Sequence, residues 1–346
     1  MSDHSTDATP PAPARPIIAV LGNGGWGTAL ALVAHRNGAD TRLWGIEAPY
    51  VAETAKLREN PRYLPGVVLP DDLLLTSDAA AACAGAELIL CVVPTQFVRP
   101  TLIAVADGLP ADVPIMSCSK GIEKGTLMRP TEIINELAGP RPLAVLSGPN
   151  HAEEVALGRP ATAVVASPDP AVRDAIQSRF SDPGFRLYGS DDVVGVELAA
   201  AVKNVIAIAA GILDGLELGD NAKAALITRG AVEISRLGVG LGARPETFSG
   251  LAGIGDLIAT CVSSHGRNRR VGERLGRGER LEDVLGTMVQ VAEGVATTRS
   301  LAELSKKVGA EMPICEVVHR ILFEGLRPRD ALHQLMTREL RQETDS

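Results

Sequence analysis

Residues Pro16–Gly38 read PIIAVL-GNGGWG-TALALVAHRNG. A short apolar run enters a glycine-rich turn, and an Ala/Leu-rich segment leaves it and stops at Gly38. That order is strand, turn, helix. Gly22, Gly24 and Gly27 occupy the pattern G-x-G-x-x-G, with Gly25 and Trp26 between the last two. The first glycine allows the tight turn, the second lets backbone approach a pyrophosphate, and the third lets helix pack on strand. The helix start then offers free N–H groups and a positive dipole to phosphates. A glycine-rich tight turn without a ligand is the bland alternative, but the strand before and the helix after favour a bound dinucleotide. Asp40–Trp44, DTRLW, reads as the second strand. The turn after it holds Gly45, Ile46 and Glu47, where this fold meets the adenosine ribose. Glu47 lies 20 residues past Gly27, the spacing of a ribose-binding acid. Its bland alternative is a surface carboxylate opening the next helix. No Arg or Lys occupies 45–47, although Arg42 is near. This predicts that NADH serves at least as well as NADPH.

Further apolar runs continue the alternation. Ala86–Val93 is a buried strand ending in Pro94, Val113–Ser119 delivers Lys120, and Leu143–Leu146 runs into Ser147-Gly148-Pro149-Asn150. Strands also fit Ala161–Ala166 and Phe185–Tyr188. In an open parallel sheet, ligands sit outside the carboxyl ends of the strands. Pro94, Lys120 and Gly148–Asn150 all fall there, though Lys120 also fits a surface lysine at a strand end. The expected first domain is a doubly wound, Rossmann-type α/β fold over 16–190.

From residue 191 the pattern becomes helical. Helices fit 191–213, 220–237, 268–276, 294–308, 313–323 and 328–336, giving an all-helical domain over 191–340. Its first helix, Val193–Leu213, reads VVGVELAAAVKNVIAIAAGIL, with Ser190 and Asp191 as cap candidates. No polar stripe runs along it. A lone membrane span would carry Lys203 and Asn204 at roughly 3 kcal/mol, and no second span exists. A buried core helix fits better. Lysine is almost never fully buried without a partner. Burial lowers its pKa and makes it a usable acid or base near neutrality; the bland alternative is a lysine that snorkels or pairs. Two polar loops are expected, GLAGIGD at 250–256 and SSHGRNRR at 263–270, with QVAEG at 290–294 a third break. Basic side chains in a first helical turn oppose the helix dipole, and a bound anion resolves the conflict.

Composition narrows the class. The chain has 346 residues, enough for two domains, and aromatics are only 3%, so Ala, Val, Leu and Ile must build the core. The net charge of −8 and the lack of any basic run beyond Arg267–Arg270 argue against nucleic acid. Cys83, Cys91, Cys118, Cys261 and Cys315 show neither metal nor redox spacing, and the six histidines form no cluster. No metal site is expected. Residues 1–15 lack the pattern of a secretion signal and read as a disordered tail. The expected location is cytoplasmic.

With these segments in place, the chain resembles the bacterial NAD(P)-dependent glycerol-3-phosphate dehydrogenases over about 16–340. The carrying stretches are GNGGWGTALA at 22–31, SCSKGIE at 117–123, LSGPNHAEE at 146–154, VELAAAVKNVIAIAAGI at 196–212, NAKAALITRG at 221–230, TFSGLAGIGDLIATC at 247–261, GRNRRVG at 266–272 and VAEG at 291–294. The resemblance implies Lys203 as the catalytic lysine, which also binds substrate. It implies substrate contacts from Lys120, Gly148, Asn150, Asp256, Gly266, Arg267 and Asn268. Cofactor contacts follow from Gly22, Gly24, Gly25, Trp26, Gly27, Ile46, Glu47, Lys120, Ala152, Arg267, Val291 and Glu293. Asn150 and Gly266 stand where the family usually has Ser or Thr, and Ile46 stands where many members carry a basic or polar residue.

The implied reaction is reversible reduction of dihydroxyacetone phosphate to sn-glycerol 3-phosphate with NAD(P)H, supplying phospholipid synthesis. Expected partners are this small substrate pair, with no nucleic acid and no membrane span; a homodimer is admitted but not required. Two alternatives stay open. One is a related β-hydroxyacid or phosphogluconate-type dehydrogenase, which must bind a carboxylate. The other is a non-catalytic dinucleotide sensor, which has no need of a buried lysine.

Overall fold

The structure, a computed structural model, describes residues 14–340 and 342–343. Most of the expected tail, residues 1–13, lies outside them. Arg15 lies within and is held, donating to the Gly38 and Ala39 carbonyls and pairing with Asp72 at 3.0 Å.

The first half is a sheet covered by helices. Its strands are β1 (Ile17–Leu21), β2 (Asp40–Trp44), β3 (Glu59–Asn60), β4 (Leu64–Val68), β5 (Leu74–Thr76), β6 (Leu88–Cys91), β7 (Ile115–Ser117), β8 (Leu143–Ser147), β9 (Ala161–Ala166) and β10 (Phe185–Ser190). The eight-stranded sheet runs β10-β9-β8-β7-β6-β1-β2-β5. β5 through β8 in that order are parallel, so strand order reverses between β1 and β6. A ligand crevice opens at such a reversal, beyond the carboxyl ends of the strands. β1 and β6 are apolar on both faces because helices cover both sides.

Three departures from the sequence reading matter. First, the sheet is not wholly parallel: β9 runs antiparallel to β8, with Val164 opposite Ser147. The chain re-enters the sheet at the end from which it left, through the short helix Ala152–Ala156. Second, β3 and β4 form a separate bulged hairpin and β5 is an edge strand, none of them expected. Pro65 and Gly66 inside β4 break the usual strand signal. Third, the cap of the long helix is Asp192, neither Ser190 nor Asp191. Its Oδ1 accepts from Gly195 N at 2.8 Å, and its Oδ2 accepts from Arg244 N and Thr247 Oγ1.

The long helix, Val193–Gly215, is the axis of the second half, and every residue from Gly195 to Leu213 is buried. It has the length and apolarity of a membrane span, yet the protein itself encloses it. The helices Gly219–Gly240, Arg267–Gly276, Glu293–Val308 and Pro313–Phe323 surround it. Small residues set the closest crossing. A Cβ on Gly211 would meet Arg269 O at 1.8 Å, and one on Gly272 would meet Ile208 O at 1.9 Å. This backbone contact fixes where the Arg267–Gly276 helix begins. Glu197 ties the halves together, accepting from Arg129 Nη1 at 2.6 Å and from Thr131 N at 2.9 Å.

The expected loop GLAGIGD is instead helical. Leu251–Gly255 forms a π-helical turn that runs directly into the helix Asp256–Val262. Wide turns of this kind are rare and recur at functional sites. A Cβ on Gly253 would meet Phe248 O at 2.1 Å, so this glycine serves close packing rather than looseness.

Candidate active site

The crevice between the halves is lined by the glycine turn, the ends of β6, β7 and β8, the long helix, and the starts of the helices at Asp256, Arg267 and Glu293. At its floor three charged side chains converge. Lys203 is 4% exposed and ion-paired with Asp256 Oδ1. Its Nζ donates to Thr260 Oγ1 at 2.9 Å. Lys120 Nζ lies 3.2 Å from Asp256 Oδ2 and donates to Asn150 Oδ1 at 3.1 Å and Gly148 O at 3.4 Å. Ser147 Oγ donates to Asp256 Oδ2 at 3.3 Å. One buried carboxylate therefore holds two ammonium groups, one from each half of the chain.

The electrostatics follow from that arrangement. Burial pulls Lys203 down from 10.5 to about 7; Asp256 opposes the shift and Lys120 adds to it. Burial alone would raise the Asp256 carboxyl, but the two lysines outweigh it and hold it below its ordinary value. Burial, then the charges of Lys203 and Lys120, keeps the His151 imidazole below its ordinary value. Three buried polar atoms at the crevice have no protein partner, Trp26 Nε1, Asn150 Nδ2 and His151 Nε2. Buried groups of this kind are normally satisfied, which marks a place for ligand or water. Asn150, standing where the family usually has Ser or Thr, thus retains a free donor. Gly148 has φ +151°, and a Cβ there would meet Ala163 Cα at 2.8 Å. Its carbonyl is thereby held toward Lys120.

Arg267 and Asn268 open the Arg267–Gly276 helix, whose first-turn N–H groups lack intrahelical partners. Arg269 is neutralised internally by Asp214 at 2.7 Å and Glu273 at 3.3 Å. Arg267 instead donates to Val291 O at 3.1 Å and lines the crevice. Asn268 Oδ1 accepts from Gly294 N at 3.0 Å, leaving its NH2 group to donate. Gly266 lines the crevice, and its N–H is taken by Ser263 O at 3.2 Å, so it presents no free donor there. Glu293 is half-buried, and its Oε1 accepts from Thr95 N at 2.7 Å, joining the end of β6 to the Glu293–Val308 helix. Val291, Ala152, Gly25 and Trp26 also line the crevice.

The glycine turn tests whether a dinucleotide fits. Gly22 has φ +119° and lies too close to Val92 O for any side chain. A Cβ on Gly27 would meet Gly22 O at 1.8 Å. Gly24 differs: nothing of the protein lies within 4 Å of its would-be Cβ. The first and third glycines are required by the fold and the second faces open space, as a phosphate cradle demands. Gly24→Ala is accordingly expected to leave Tm unchanged and to raise the Kd for NADH at least ~10-fold, about 1.4 kcal/mol. Isothermal titration beside a thermal melt checks both halves. Ile46 is exposed, and Glu47, at the ribose end, is paired with Arg62.

Several members of this constellation escape sequence reading. Asn204 Nδ2 donates to Lys120 O at 3.1 Å and braces the β7 end against the long helix. Its position beside Lys203 was the available signal. Thr260 was hidden because GLAGIGD read as a loop; once helical, Asp256 and Thr260 share a face at i, i+4. Ser147, Thr95 and His151 had no distinguishing signal.

Comparison with known proteins agrees with this geometry. The model of the NAD-dependent glycerol-3-phosphate dehydrogenase N-terminus matches residues 17–173, and that of the C-terminus matches 192–333. A Geobacillus thermodenitrificans protein named glycerol-3-phosphate dehydrogenase (NAD(P)+) is 50% identical, covering 94% of this chain and 96% of its own. A Geobacter sp. protein of the same name is 48% identical, covering 94% and 98%. The crystal structure of glycerol-3-phosphate dehydrogenase from Coxiella burnetii superposes with a TM-score of 0.90 at 41% identity, covering 94% of this chain and 99% of that one. A D-mandelate dehydrogenase structure, at 14% identity and a TM-score of 0.60, shares the fold alone. An α/β domain with a cradle for a dinucleotide, a helical domain bearing a buried lysine, and these relatives lead to one conclusion: the chain belongs to the NAD-dependent glycerol-3-phosphate dehydrogenase family.

Proposed function

We propose that this enzyme reversibly reduces dihydroxyacetone phosphate to sn-glycerol 3-phosphate with NAD(P)H at the Lys203–Asp256–Lys120 centre. The observation that carries it is a buried lysine poised between protonation states in a crevice shared by the cradle and a basic helix start. When bound, the nicotinamide supplies hydride to the substrate carbonyl carbon. Lys203 as an ammonium stabilises charge growing on the carbonyl oxygen and donates the proton. In reverse, its neutral amine accepts the hydroxyl proton. Asp256 positions both lysines and keeps Lys203 from losing its proton too readily. Lys120 adds positive charge on the other side of Asp256, and Asn150 Nδ2 supplies a donor. Arg267, Asn268 and the helix start suit the phosphate dianion. Gly24, Gly25, Trp26, Ala152, Val291 and Glu293 hold the cofactor. Residues 16–190 serve as the dinucleotide-binding part and 191–340 as the substrate-binding part, supported by the sheet ending at Ser190 where the long helix begins at Val193.

The direct test is product identification. Dihydroxyacetone phosphate incubated with NADH must yield glycerol 3-phosphate, read by phosphorus NMR, one for each NADH consumed. Cofactor oxidation without that product rejects the assignment. The pH dependence follows with its sign. Reduction needs the ammonium, so its kcat falls as pH rises through about 7, while glycerol 3-phosphate oxidation rises through the same range. Asp256→Asn removes the charge that raises Lys203, so both inflections move to lower pH. Unmoved inflections in steady-state pH profiles contradict the positioning role. The five free cysteines are all buried, which supports a reducing, cytoplasmic location. Glycerol 3-phosphate made there supplies phospholipid synthesis. The assembly state, for which a homodimer is admitted, enters no step of the chemistry.

A further inference from the structure

Glu47 does not stand alone at the end of β2. Arg62 Nη1 lies 2.9 Å from Glu47 Oε2, and its guanidinium sits over the Tyr50 ring, 3.9 Å from the centroid. Tyr63 flanks it at 5.6 Å. Arg62 comes from the turn of the β3–β4 hairpin, far from residues 45–47, where spacing looks for a basic group. Arg42, the nearer candidate in sequence, donates to Ala81 O and Ala84 O and pairs with Asp40. It is committed to the Ala79–Cys83 helix and to its own strand.

The hairpin turn is anchored to the phosphate cradle. Asn60 is fully buried, and its Nδ2 donates to Asn23 O and Thr28 Oγ1, both at 2.8 Å. Its Oδ1 accepts from Tyr50 OH and from Tyr63 N. Tyr50 OH in turn accepts from Arg62 N at 3.0 Å. Gln290 Nε2, across the crevice, donates to Tyr63 O at 3.2 Å. One network therefore fixes the glycine turn and the base of Arg62 together. The Glu47–Arg62 pair itself is open to water, with side chains 55% and 38% exposed. Exposed pairs contribute little to stability, so the fold does not explain why this arginine is stacked and aimed there.

We propose that Arg62 is a specificity-determining residue that admits the 2′-phosphate of NADPH, with Glu47 serving the ribose hydroxyls of NADH. The inference rests on the dinucleotide-binding reading above. Glu47 alone accepts hydrogen bonds from two hydroxyls and repels a phosphate dianion. Arg62 cancels that repulsion and presents a planar fork that matches phosphate. Its pairing to Glu47 is weak enough to be exchanged for the stronger anion. One rim thus serves both cofactors.

Calorimetric titration of the full-length enzyme separates the outcomes. The ligands are NADH, NADPH, 5′-AMP and adenosine 2′,5′-bisphosphate; the variants are Arg62→Ala, Arg62→Gln, Arg62→Lys and Glu47→Gln. Arg62→Ala and Arg62→Gln should raise the Kd for NADPH and the bisphosphate at least ~10-fold, with NADH and 5′-AMP within about two-fold of wild type. Arg62→Lys should recover part of the loss, and Glu47→Gln should shift preference toward NADPH. Equal weakening of both cofactors would make Arg62 a mere support for Tyr50 and Tyr63 and overturn the proposal, as would unchanged NADPH binding. Wild type that binds NADH but not NADPH overturns this inference alone. Wild type that binds neither overturns the dinucleotide reading with it.

Discussion

Replacing Lys203 with alanine lowers kcat for dihydroxyacetone phosphate by at least ~100-fold, the lower range for a positioned proton-transfer group. Among the described residues, the group removed is the only crevice-floor side chain that combines burial with a pKa brought to about 7. The dinucleotide cradle, built on β1 and the helix behind it, lies in the other half of the chain and is untouched. The Kd for NADH should therefore change little. Alanine leaves a void beside Thr260, so Lys203→Met, which keeps volume without charge, controls for packing. Both variants should lose turnover together. A folded Lys203→Met enzyme with near-normal kcat contradicts the assignment of proton transfer to this residue.

Arg267→Ala lowers kcat/KM for dihydroxyacetone phosphate by ~100-fold or more, on roughly 3 kcal/mol lost from a charge-assisted phosphate contact. The structure sharpens this expectation. Arg269, two residues on, is already neutralised by Asp214 and Glu273. Arg267 donates to a carbonyl, Val291 O, lies within the field of Glu293, and lines the crevice. The phosphate lies away from the reacting carbonyl, so its binding energy positions the substrate. The slow reaction of unphosphorylated dihydroxyacetone should hardly change, having no group there to lose. Arg267→Lys should recover only part, since a point charge lacks the bidentate fork. Cofactor affinity is measured alongside, because Arg267 is bonded to Val291, a proposed cofactor contact. If both substrates weaken equally after that correction, the phosphate sits elsewhere.

How far the sequence could be read depends on where each signal lies. The turn at 22–27 declared itself because three of its glycines, Gly22, Gly25 and Gly27, are forced by backbone clashes and one, Gly24, faces open space. Those are local demands, visible in local spacing. The long helix was legible from its apolar run, and Lys203 stood out as an ionisable residue inside it. Asp256 was singled out, but its surroundings were misread. Glycines at 250, 253 and 255 resemble a flexible connector, whereas the chain forms a π-helical turn there that Gly253 packs against Phe248. Partnerships across the crevice were hidden for another reason. Asn204 meets Lys120, and Thr95 meets Glu293, only where the two halves of the chain close on each other, which local sequence does not show. Arg62 was missed because the hairpin that delivers it carries Pro65 and Gly66, which obscure the strand pattern. Within Arg267–Arg270, charge density was plain in the sequence, but which arginine stays free for an anion depended on Asp214, a residue of the long helix.

The central claim is that the crevice unites a buried lysine acting on a carbonyl with an arginine-bearing helix start acting on a phosphate. The most direct measurement is the wild-type kcat/KM with NADH for dihydroxyacetone phosphate against dihydroxyacetone. A preference of at least ~100-fold for the phosphorylated substrate, from the same roughly 3 kcal/mol of phosphate contact, is the predicted result. Equal use of the two substrates, or turnover of neither by an enzyme that binds NADH, would contradict it.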